Sequence, residues 1–61
     1  PTKDVLEKAG EVSYKFNISF YDAYFVALAT TLNFLLVTAD EKLYDKLKTL
    51  RFVKLLKGLE L

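Results

Sequence analysis

The chain reads as an α/β protein in the order α-α-β-α-β, with its two strands parallel. Three observations lead there. A strongly apolar segment from Phe20 to Leu32 opens on a helix-start signal and closes on a helix-stop residue. A short apolar run, Phe34 to Thr38, follows and gives way at once to a second helix start. A further strand candidate, Phe52 to Leu56, lies beyond that helix, and residues 39–51 between them supply about the dozen residues that a right-handed βαβ crossover needs.

The first helix is predicted over 3–14, where Val5, Ala9, Val12 and Phe16 recur at helical spacing. Gly10 inside it costs about 1 kcal/mol against Ala, so an early end or a weak helix is expected. The second helix, over 20–32, starts from Ser19 and Asp22 in capping-box spacing, with Ile18 placed to staple onto Ala23. Its polar residues are Asp22, Thr30 and Thr31, which predicts a helix buried nearly all round, with Phe20, Tyr21, Tyr24 and Phe25 in the core. Asn33 tolerates the left-handed conformation that ends helices. The strand near 35–38 is a continuous apolar run, expected to be buried on both faces as in a parallel sheet. Thr38 and Glu41 repeat the capping-box spacing, with Asp40 in the same turn, and Leu43, Tyr44, Leu47 and Leu50 give a helix over 40–49 one apolar stripe. The second strand is expected near 52–55.

Composition limits the possibilities. Sixty-one residues make at most one small domain, and without Cys or His neither a disulfide nor a zinc site can reinforce it. Yet 52% of the residues are hydrophobic, so the chain is expected to self-associate or to lean on a larger body. The start at Pro1 suggests a piece of something longer, or a lost Met. No secretory leader is visible, and the longest apolar run, Ala23 to Ala29, falls well short of the ~20 residues that span a bilayer. A cytoplasmic setting is expected. The net charge of +1 selects no partner, although Lys42, Lys46, Lys48, Arg51, Lys54 and Lys57 crowd the C-terminal third.

Two aspartates carry the candidate chemistry. A tight turn at Asn33 makes the second helix and the first strand antiparallel, so the start of one lies beside the end of the other. The helix climbs about 15 Å from Asp22 to Leu32 at ~1.5 Å per residue. The strand covers roughly 10–13 Å at ~3.3 Å per residue. Asp22 and Asp40 are therefore expected at one height, on the carboxyl rim where open α/β sheets bind ligands. Paired carboxylates there suit Mg²⁺ or Mn²⁺, which prefer oxygen donors. The competing reading stays open: an Asp at a helix N-terminus is favourable simply because it meets free amides and the helix dipole.

These same residues match a family. Phe20-Tyr21-Asp22-Ala23-Tyr24-Phe25-Val26-Ala27-Leu28-Ala29, followed by Leu36-Val37-Thr38-Ala39-Asp40-Glu41-Lys42-Leu43, resembles the C-terminal half of a PIN domain of the VapC-type toxins. The resemblance implies the C-terminal part of a PIN-like (Rossmann-like) three-layer fold, with residues 1–61 as a fragment whose N-terminal half is absent. It implies a toxin endoribonuclease that hydrolyses RNA with Mg²⁺ or Mn²⁺ and is held by an antitoxin protein. Asp22 and Asp40 resemble the third and fourth family acids, as catalytic and metal ligands, and Thr38 the supporting strand-end hydroxyl. The first two acids have no counterpart, since Glu7 and Glu11 lie too near Asp22. The isolated chain is therefore expected to be inactive. Lys42 and Lys46 are candidate RNA-phosphate contacts, or else part of a solvated face. The alternative to an enzyme fragment is a self-associating or partner-binding module with idle acids. A third possibility is a domain shortened by a protease.

Overall fold

The computed structural model describes residues 3–58. Its elements run α1 (Lys3–Phe16), α2 (Phe20–Leu32), β1 (Leu36–Thr38), α3 (Glu41–Leu47) and β2 (Val53–Leu55), with a 3-10 turn at Leu56–Gly58. The strands are parallel, pairing Leu36 with Val53, Val37 with Lys54 and Thr38 with Leu55. The predicted α-α-β-α-β order is the observed one. Residues 1–2 and 59–61 of the expected fragment lie outside the described residues.

The two long helices form a hairpin and share the largest contact in the fold. Val5, Ala9 and Val12 of α1 meet Ala23, Val26 and Ala27 of α2 in one core, which Leu47 of α3 and Val53 of β2 complete. Leu47 is 0% exposed and, with Val26, is the largest side chain fully inside.

Both helices of the hairpin stop in the same way. Asn17 (φ 55°) and Asn33 (φ 63°) adopt the left-handed conformation. The next amide then reaches back five residues, Ile18 N–H to Ser13 O at 3.2 Å and Phe34 N–H to Ala29 O at 3.0 Å. This is the Schellman arrangement, which satisfies carbonyls that the helix leaves free. The Ser13 hydroxyl adds a bond to Ile18 O at 2.6 Å.

Four expectations need correction. First, α1 runs through Gly10 to Phe16, because Val5, Ala9 and Val12 are anchored in the core. Tertiary packing outweighs one glycine here. Gly10 is exposed, and a Cβ there meets nothing within 4 Å. Gly10→Ala is thus expected to raise stability by about 0.5–1 kcal/mol, read as a higher urea midpoint at unchanged slope.

Second, α2 is not buried all round. Its inward residues are Ala23, Val26, Ala27 and Ala29. Phe20, Tyr21 and Phe25 are exposed, Tyr21 by 73%, and Tyr24 is half-buried. The small residues face the close α1 contact and leave the rings outside, where Tyr21 and Tyr24 each meet Phe25 edge to face. Third, β1 is buried on one face only: Leu36 and Thr38 are half-buried while Val37 is 45% exposed. A parallel strand is covered on both faces only when helices flank both sides of its sheet. Phe34 and Leu35 are also exposed, by 63% and 66%. Fourth, α3 is shorter than expected, ending at Leu47, where a turn bonded from Leu50 N–H to Leu47 O leads toward β2. Among the described residues, no helix is long and apolar enough to cross a membrane.

Candidate functional site

Asp22 owes its place to the start of α2. Ser19 is the N-cap, and its hydroxyl oxygen accepts the Asp22 N–H at 3.1 Å. That bond fixes the first helical turn and sets the half-buried Asp22 in it. Among the described residues nothing bonds or pairs with the Asp22 carboxylate, so both of its oxygens are free to accept.

Asp40 is placed by β1 and α3 together. The expected cap was Thr38 with Glu41, but the helix begins one residue after Asp40, and Asp40 is the cap. Its backbone is extended, and Oδ1 accepts the Leu43 N–H at 3.0 Å. Thr38 lies too early to reach that amide. Its hydroxyl instead accepts the Asp40 N–H at 3.0 Å, holding the main chain of the cap from the end of the strand. Glu41, freed from the capping box, pairs with Lys57 at 3.3 Å. One oxygen of Asp40 is thus committed to its helix, and the exposed side chain offers the other.

The two acids, from separate elements, border a common opening. Asp22 and Asp40 line one open pocket of about 170 Å³, together with Asn17, Ser19, Lys42 and Lys46, and with Ile18 and Leu43 as its apolar members. Asp22 also lines an adjoining cavity of about 280 Å³ with Thr38, Phe25, Val37, Leu36 and Leu43. Thr38 therefore shares a cavity with Asp22 and supports Asp40 through its backbone. Both lysines are exposed at the pocket, but their states differ. Lys46 donates from Nζ to the Asn17 carbonyl at 2.8 Å, linking α3 to the end of α1, while Lys42 has no bonded partner among the described residues. The Asn17 carbonyl is the component that sequence reasoning missed. Its signal was an Asn directly after an amphipathic stripe, the same signal that marked Asn33.

The donor set decides which metals suit the pocket. With no His or Cys in the sequence, the ligands the pocket offers a metal are oxygens, a donor set that suits hard cations better than zinc. Among the described residues there is no group of three or more metal-ligating side chains, so these residues form no closed cage. Mg²⁺ needs none. It is usually held by one or two carboxylates and completes its octahedron with water and substrate phosphate. Two carboxylates with free oxygens at an open pocket fit that mode.

Comparison with known proteins gives one match. A family model described as PIN domain matches residues 1–48, taking in α1, α2, β1 and α3 and leaving β2 beyond its end. No curated protein and no solved structure gives a significant match.

Proposed function

The chain belongs to the PIN-domain family, whose members are generally nucleases that use divalent metal ions, and on that premise we propose that it is the C-terminal half of a VapC-type endoribonuclease, a toxin paired with an antitoxin in the cytoplasm. The observation that carries this reading is that Asp22 and Asp40, from separate elements, line one pocket. The Asp22 carboxylate is free to hold Mg²⁺ or Mn²⁺, and the uncapped oxygen of Asp40 joins it. A divalent ion held by these residues would supply an activated water and offset charge on the phosphate. Thr38 keeps Asp40 in position through its amide. Lys42 and Lys46 at the same rim serve as contacts to RNA phosphates. With two acids instead of a full set, the isolated chain binds metal weakly and does not turn over RNA.

A Mn²⁺ titration of the 61-residue chain, followed by water-proton relaxation, tests this. Saturable binding is expected, and it should disappear when Asp22 and Asp40 are both changed to Asn. A chain indifferent to Mn²⁺ supports the second reading, a partner-binding or self-associating module whose acids only cap helices. The exposed apolar residues of α2 and β1 are the observation in that reading's favour.

A further inference from the structure

Lys46 is the ordered cation at the acidic pocket. Its side chain is exposed, yet its ammonium is held at 2.8 Å by a main-chain carbonyl 29 positions away in sequence. That carbonyl belongs to Asn17, whose left-handed conformation ends α1 and turns the oxygen out of the helix ladder. Among the described residues no carboxylate pairs with Lys46. Asp22 and Asp40 line the same pocket without forming an ion pair with it, whereas Lys48 and Lys57 are each paired, with Asp45 and Glu41. An ammonium has three donors, and one is spent on Asn17. Two remain, beside carboxylates suited to a divalent ion.

We infer that Lys46 binds a non-bridging oxygen of the phosphate presented to the Asp22–Asp40 pair, so that the pocket recognises a metal–phosphate unit and not a bare cation. This rests on the reading of Asp22 and Asp40 as metal ligands and assigns the other half of the substrate's recognition. The tether matters because it restricts the side chain before binding, and ordering a lysine is costly. Lys42, untethered at the same rim, makes the weaker phosphate contact. Lys46 is thus a phosphate-positioning residue, and the substrate class it recognises is a phosphodiester backbone.

The test uses the full 61-residue chain with Lys46→Gln, Lys46→Arg and Lys42→Gln. Binding of a short fluorescein-labelled single-stranded RNA is followed by anisotropy across a salt series, with and without Mn²⁺, and Mn²⁺ binding is measured separately. Lys46→Gln is expected to weaken RNA binding about tenfold, as for one charge-assisted hydrogen bond. The salt dependence should flatten by about 0.7 of a logarithmic unit, the share of one phosphate contact on a single strand. Lys46→Arg should restore most of both. Mn²⁺ affinity should hold or rise in Lys46→Gln, since a nearby positive charge is removed; a purely structural tether would lower it. Unchanged RNA binding by Lys46→Gln, or equal losses from Lys46→Gln and Lys42→Gln, overturns the assignment. Wild-type failure to bind Mn²⁺ overturns the metal reading instead, and the metal-free RNA arm then decides Lys46 by itself.

Discussion

In the intact domain, Asp22→Asn or Asp40→Asn is expected to lower ribonuclease turnover by more than about a hundredfold. Removing a group that merely supports a metal ligand costs about 10–100-fold, so losing a ligand carboxylate should cost more. Asn is the informative replacement because it keeps the local structure. At position 40 it caps as well as Asp does, so the bond to Leu43 N–H survives. At position 22 the cap bond uses the backbone amide and Ser19, and neither is touched. What changes is one negative charge, worth only about 0.3–1 kcal/mol to a helix start. Initial rates on single-stranded RNA with Mn²⁺, beside thermal midpoints within a few degrees of wild type, make the measurement. Near-normal cleavage after either change would leave the two acids as helix caps and nothing more.

The second large effect concerns association. Phe34, Leu35 and Val37 lie exposed along and before β1, and Phe20, Tyr21 and Phe25 project from α2. Among the described residues β1 has one neighbour, β2, and its other edge offers backbone groups with no strand partner. Such edges recruit further strands, and apolar area on this scale marks an interface. The 61-residue chain is therefore expected to sediment at micromolar concentration as a dimer or larger. Alternatively, it should be drawn into a stoichiometric complex when the N-terminal half of the domain is supplied. Covering one Val, Leu or Phe is worth roughly 1.5–3 kcal/mol. Val37→Lys should accordingly weaken either association by about tenfold or more. A cooperative, well-folded monomer that ignores the N-terminal half would show that these side chains cover nothing.

How far the sequence disclosed this structure depends on the range of the interaction concerned. α2 was legible to the residue, because Ser19 and Asn33 act on their immediate neighbours. The parallel pairing followed from crossover length, and the shared position of Asp22 and Asp40 from helix and strand rise. Asn17 carried the same stop signal as Asn33, but Gly10 suggested an earlier end, and only the packing of Val12 shows why the helix continues. Spacing favoured Thr38 with Glu41 as the cap of α3, whereas Asp40, directly before the helix, takes that place. The exposed rings of α2 escaped for a different reason. A helix that is apolar on every side does not say which side its neighbour takes. The bonds from Lys46 to Asn17 and from Lys57 to Glu41 join distant positions and leave no local trace.

The close approach of α1 and α2 divides the constraints under which this sequence can drift. Ala9, Ala23 and Ala27 admit no solvent at all. Any larger residue at these positions must push the helices apart, at a cost of about 1–3 kcal/mol that the chain meets by itself. The rings of Phe20, Tyr21 and Phe25 answer to no such internal limit. Whatever body covers them sets what they can become, so they should change in step with that body. Among related sequences, the alanines should stay fixed in every lineage, while the aromatic positions vary together with the surface that each lineage presents to them.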